Sequence, residues 1–128
     1  MSNGKTDITL TINGREHSLS VDPRRILADV IREECGQTGT HLGCEHGVCG
    51  TCTIIVGGVT VRSCLMFAVQ CDGAEIRTVE GLAHKGELHP LQRAFMQHHA
   101  LQCGFCSPGF LMLAVGVPPL VAVLAFGP

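Results

Sequence analysis

The chain has 128 residues, 45 % of them hydrophobic, enough for one domain or two small ones with modest cores. A net charge of −2, an aromatic content of 4 % with no Trp or Tyr, and the lack of a long basic run argue against a nucleic-acid partner. Eight cysteines exceed what an ordinary cytosolic domain carries. The N-terminus MSNGKTDITLTING lacks a basic-then-apolar signal, so the expected compartment is the reducing cytoplasm, where metal explains cysteines better than disulfides.

Thr6 to Ile12 is a β-rich run that meets Asn13-Gly14, the strongest short hairpin signal, and Arg15 to Val21 continues as a second strand. Asp22-Pro23 then reads as a helix N-cap with proline in the first turn, and Ile26, Leu27, Val30 and Ile31 recur at helical spacing until Gly36. A single amphipathic helix is expected there.

Next comes GCEHGVCGTCTIIVGGVTVRSC, in which Cys44, Cys49, Cys52 and Cys64 follow the spacing C-x4-C-x2-C-x11-C. This is the thiolate arrangement of a plant-type [2Fe–2S] cluster, three ligands from one loop and a fourth from a later strand end. Gly43, Gly47 and Gly50 stand beside the first three cysteines, where positive φ angles would let the backbone curl and aim amides at the sulfurs. Structural zinc sites more often use two short knuckles separated by a finger-length loop. With four cysteines in place, His46 is expected to shape the loop or face a partner rather than ligate. Thr53 to Val56, the turn Gly57-Gly58, and Val59 to Ser63 predict a hairpin carrying Cys64 at its far end, and Glu75 to Val79 predicts a last strand. The result is a small mixed sheet on a helix, an arrangement of the β-grasp kind ending near Gly81.

A second section opens around His84 with Lys85-Gly86 as a linker. His89-Pro90 starts a helix lined on one side by Leu91, Ala94, Phe95 and His98, and Ser107-Pro108 caps another that runs from Phe110 to about Val115. Cys103 and Cys106 lie at the junction between the two helices and form half a metal site. Cys35 and Cys71 are read as buried small hydrophobes. His98 and His99 are adjacent, so they cannot chelate one ion as an i, i+4 pair could. No nucleophilic triad or phosphate loop is recognisable, and no catalytic residue is assigned to this chain.

The segments TGTHLGCEHGVCGTCTI, VRSCL, TVEGLA and LQCGFCSPGFLM resemble the small iron–sulfur subunit of the molybdenum hydroxylases, the xanthine dehydrogenase and carbon monoxide dehydrogenase family, over roughly residues 6 to 114. The resemblance implies an α+β chain. Residues 1–81 would form a plant-ferredoxin-like β-grasp domain, its cluster held by Cys44, Cys49, Cys52 and Cys64. Residues 82–128 would form a partial helical bundle in which Cys103 and Cys106 supply the first two ligands of a second [2Fe–2S] cluster. Gln102 matches a glutamine that lies against molybdopterin. The chain would thus relay electrons from a large subunit that binds molybdopterin to a medium subunit that binds FAD, or to another acceptor, with substrate chemistry elsewhere.

After about Ala114 the pattern departs from the family, ending in VGVPPLVAVLAFGP without the C-x-R-C-type motif that gives the second cluster its last ligands. A truncated or frameshifted gene is one expectation for such an end. A free-standing one-cluster ferredoxin and a remnant without an electron-transfer role are therefore the alternatives to a subunit. The uncharged stretch from Gly109 to Pro128 has near the minimum length to span a membrane, but Pro118-Pro119 breaks it and no Lys or Arg anchors it. An exposed tail, or one packed on the bundle helices, is expected instead.

Overall fold

The computed structural model describes residues 4–117. The apolar end from Pro118 onward, with the expectations placed on it, lies outside the described residues. Strands β1 (Thr6–Ile12) and β2 (Arg15–Val21) form the opening hairpin, paired from Thr6 with Val21 to Ile12 with Arg15. Alternation places Ile8, Leu10 and Ile12 on one buried face.

Asn13 makes the turn at φ 53°, and its side chain does a second job. Its Oδ1 accepts from the Thr78 amide at 3.0 Å and its Nδ2 donates to the Thr78 hydroxyl at 2.8 Å. That engagement turns the chain out of β5, which covers Glu75–Arg77 rather than continuing to Val79.

The first helix also differs from expectation. Asp22 does not cap it; its carboxylate accepts from the Arg24 amide at 2.9 Å and pairs with the Arg24 guanidinium at 3.0 Å. Those bonds hold the Asp22 carboxyl down at about 2. Ile26 is still extended, bridging to Phe67, while the Leu27 amide donates to the Met66 carbonyl at 2.7 Å. Strand-like pairing thus occupies the chain until α1 (Leu27–Asp29) begins, and a π-turn over Val30–Glu34 follows it. The Cys35 amide bonds back to the Val30 carbonyl at 3.1 Å, and the wider turn keeps Cys35 in the core with Leu27 and Ile31.

Strands β3 (Thr53–Val56) and β4 (Val59–Arg62) pair through the Gly57-Gly58 turn, both glycines at positive φ. Cys64 lies just past β4, in a 3-10 turn over Ser63–Leu65. The sheet order is β2-β1-β5-β3-β4, with β1 and β5 parallel and the other neighbours antiparallel. This is the mixed β-grasp sheet, and its main core joins β1, α1, Ile54 and Ile76. Each fully buried aliphatic side chain there contributes roughly 1.5–3 kcal/mol.

Lys85-Gly86 is a tight turn rather than a slack linker, because His84 and Glu87 exchange backbone hydrogen bonds at 2.9 Å across it. In α2 (Pro90–Gln97) His89 is the N-cap, its Nδ1 accepting from the Leu91 amide at 3.1 Å. In α3 (Ser107–Gly116) the N-cap is Cys106, one residue before the expected Ser107. A second core places Leu111 and Met112 of α3 against Ile55 of β3 and Leu82, with Leu91 and Phe95 of α2 beside them. The helical section is therefore seated on the β3–β4 end of the sheet. Among the described residues no helix is long and apolar enough to cross a membrane.

Candidate metal centre

The loop between the π-turn and β3 carries Cys44, Cys49 and Cys52, and the 3-10 turn after β4 brings Cys64 back to it. Cys44 and Cys49 exchange amide-to-sulfur hydrogen bonds, and the Cys52 and Cys44 thiols both act electrostatically on Cys64. Among the described residues no group of three or more His, Cys, Asp or Glu is placed so as to hold a metal ion.

Backbone amides converge on these sulfurs. Cys44 Sγ accepts from the amides of Val48, Cys49 and His46 at 3.2, 3.3 and 3.4 Å, and Cys49 Sγ accepts from the Cys44 amide at 3.5 Å. The amides of Cys49 and His46, with a smaller share from Val48, bring the Cys44 thiol down to about 6. Cys64 is pushed up to about 11 by burial and then by the adjacent Cys52 thiol, against an opposing hydrogen bond from the Gly47 amide. Donors already aimed at sulfur are what a thiolate-held cluster needs, so the residues present fit a [2Fe–2S] group.

Two of the three loop glycines behave as expected: Gly47 and Gly50 sit at φ 87° and 74°. Gly43 is needed for space instead, since a Cβ there would lie 3.0 Å from Cys49 Sγ. Glu45 also adopts φ 57°, which composition did not signal. His46 shapes the loop, its Nδ1 lying 2.7 Å from the Cys44 carbonyl oxygen.

Cys103 and Cys106 are exposed, and Gln102 is exposed on the same loop. That loop is fastened to the first one. The Phe105 carbonyl accepts from the Thr51 hydroxyl at 2.8 Å and from His41 Nδ1 at 2.7 Å, while the His41 and Phe105 rings stack with centroids 4.7 Å apart. Cys106 and Cys49 line the same small cleft. Cys35 and Cys71 are elsewhere, buried in the main core with their thiols pushed up by burial. Cys35→Ala is accordingly expected to leave the iron content unchanged and to cost on the order of 1 kcal/mol from lost packing, read by iron analysis and denaturant unfolding.

Comparison with known proteins now decides the family. The 2Fe-2S iron-sulfur cluster binding domain family matches residues 10–83 and the [2Fe-2S] binding domain family matches residues 78–118. The chain belongs to the iron–sulfur subunit family of the molybdenum hydroxylases. It is 56 % identical over 110 residues to the nicotine 6-hydroxylase small subunit of Paenarthrobacter nicotinovorans, covering 86 % of this chain and 66 % of that one. It is 59 % identical over 105 residues to caffeine dehydrogenase subunit gamma of Pseudomonas sp. (strain CBB1), covering 82 % and 63 %. Among solved structures, quinoline 2-oxidoreductase from Pseudomonas putida 86 superposes with a TM-score of 0.86 at 51 % identity, covering 89 % of this chain and 70 % of that chain. The chain thus spans at most about two thirds of the length of the two curated relatives. Relatives named as subunits of dehydrogenases and hydroxylases do not favour a free-standing ferredoxin or a remnant.

For this iron–sulfur family member the site features that sequence reasoning missed are Arg62, His41, Thr51 and Gly109. A Cβ on Gly109 would overlap the Gly50 carbonyl, so α3 packs glycine-close on the first loop. Only the glycine following Ser107-Pro108 hinted at this in the sequence.

Proposed function

We propose that the chain is an electron-transfer subunit of a molybdenum hydroxylase-type oxidoreductase, in which Cys44, Cys49, Cys52 and Cys64 hold a [2Fe–2S] cluster. The observation that carries the reading is the convergence of backbone amides on the sulfurs of Cys44, Cys49 and Cys64 in a chain of this family. Such a cluster, when bound, accepts and releases one electron at a time. Cys44 with Cys49 would serve one iron and Cys52 with Cys64 the other, following the electrostatic coupling of their thiols. The loop amides stabilise negative charge on the sulfurs, and Ser63 fixes the approach of Cys64, its hydroxyl donating to the Cys52 carbonyl at 2.7 Å.

Cys103 and Cys106 supply half of a second [2Fe–2S] site, and Gln102 beside them is the residue that faces molybdopterin. The partners are a large subunit carrying molybdopterin and a medium subunit carrying FAD, assembled in the cytoplasm. Substrate is oxidised on the large subunit, and this chain contributes no catalytic side chain. The division into residues 1–81 and 82–128 is supported by a main core drawn wholly from Ile8 to Ile76 and by family matches that meet at residues 78–83.

Anaerobic titration with dithionite, followed by visible absorbance, tests the relay. Uptake of about one electron per two irons, reversed by a mild oxidant, is expected. Cluster-loaded protein that accepts no electron would overturn the proposal.

A further inference from the structure

Arg62 is the last residue of β4 and pairs across the hairpin with Thr53. Its Nη1 donates to Thr53 Oγ1 at 2.8 Å, and that hydroxyl donates in turn to the Gly50 carbonyl at 2.6 Å. The guanidinium also lies over Gly50, where an added Cβ would meet Nη2, Cζ and Nε at 3.4, 3.5 and 3.6 Å. Three nearly equal distances mean that its plane covers the backbone between Cys49 and Thr51. Arg62 and Cys49 line one cleft of about 70 Å³, whose other walls hold no carboxylate. The ion pairs formed among the described residues use Arg24 and Arg25, and Arg62 joins none of them.

A fixed, half-buried positive charge has therefore been placed against the segment that carries Cys49 and Cys52. Fixed means permanent as well, since a guanidinium does not deprotonate in proteins. Reduction adds one negative charge to a thiolate-held cluster, and a cation held nearby in partly excluded solvent lowers the energy of that state. We infer that Arg62 is a positioning residue that raises the reduction potential of the four-cysteine site, through its charge more than through its hydrogen bond. The inference rests on the ligand reading given above.

The test is a redox titration of the full chain, monitored by electron paramagnetic resonance, with Arg62→Gln, Arg62→Met and Arg62→Lys. Both neutral variants should make reduction less favourable on the order of tenfold, equivalent to 59 mV for one electron, whereas the lysine variant stays near the parent value. An unmoved potential in the neutral variants would overturn the inference alone. A lysine variant shifted as far as the neutral ones, or neutral variants that lose their iron while the lysine variant keeps it, would assign Arg62 to holding the loop and overturn the charge role. A parent chain with no cluster on the four cysteines would instead overturn the ligand reading, and the inference with it.

Discussion

Cys49→Ser is expected to abolish the visible spectrum of the bound cluster and to remove most of the iron. Cys49 is the point where two supports of the site meet: its sulfur accepts the Cys44 amide at 3.5 Å, and its own amide donates to Cys44 Sγ at 3.3 Å. A serine oxygen is harder, more basic and closer to the backbone than sulfur, so one iron would lose its pair of matched thiolates. The other six positions of Cys44 to Gly50 would remain able to fold, because the loop is also held by Gly47 against Leu65 and by the Arg62–Thr53–Gly50 chain. Iron analysis and absorbance on the purified variant decide the matter, and retention of the full spectrum with two irons per chain would refute the assignment of Cys49.

Gly109→Ala has the next largest expected effect, and it acts on the seating of the helical section rather than on the cluster. A Cβ at this position meets backbone, the Gly50 carbonyl and the Thr51 Cα, which cannot swing aside as a side-chain tip could. Alanine is otherwise the better helix former by about 1 kcal/mol, so a purely local view predicts stabilisation. Overpacking against fixed backbone typically costs 1–3 kcal/mol, and here it outweighs that gain. A lower denaturant midpoint is expected, together with faster proteolysis between Gly81 and Ser107 and little loss of iron. An unchanged or raised midpoint would mean that α3 does not press on the first loop as described.

Much of this architecture is readable from residues alone, and the reasons differ from place to place. Asn13-Gly14 and Gly57-Gly58 specify their hairpins locally, so both turns and the flanking strands follow from the sequence. The four-cysteine spacing is likewise a local signal, and the two sulfur pairs follow from it once β3 and β4 pair. Local signals mislead where a distant segment competes for the backbone. Asp22-Pro23 has the composition of a helix start, yet Met66 and Phe67 claim the backbone of residues 25–27 and delay α1. Val79 belongs to the strand pattern, yet Asn13 captures the Thr78 amide and ends β5 early. The fastening of the two cysteine loops was invisible for the same reason. It depends on a carbonyl, that of Phe105, which receives His41 and Thr51 from more than fifty residues away, at sequence separations of 64 and 54. No property of Phe105 as a residue type signals a role for its backbone oxygen.

The central claim is that one [2Fe–2S] cluster sits on Cys44, Cys49, Cys52 and Cys64, while Cys103 and Cys106 are half of a second site. Iron and acid-labile sulfide per chain, measured on anaerobically purified protein together with reduced-state electron paramagnetic resonance, test it most directly. About two irons, about two sulfides and a single signal are the expected result for one plant-type cluster. Protein that binds no iron, or that binds zinc in its place, would contradict the first half of the claim. About four irons with two distinct signals would contradict the second, since Cys103 and Cys106 would then have found further ligands within this chain.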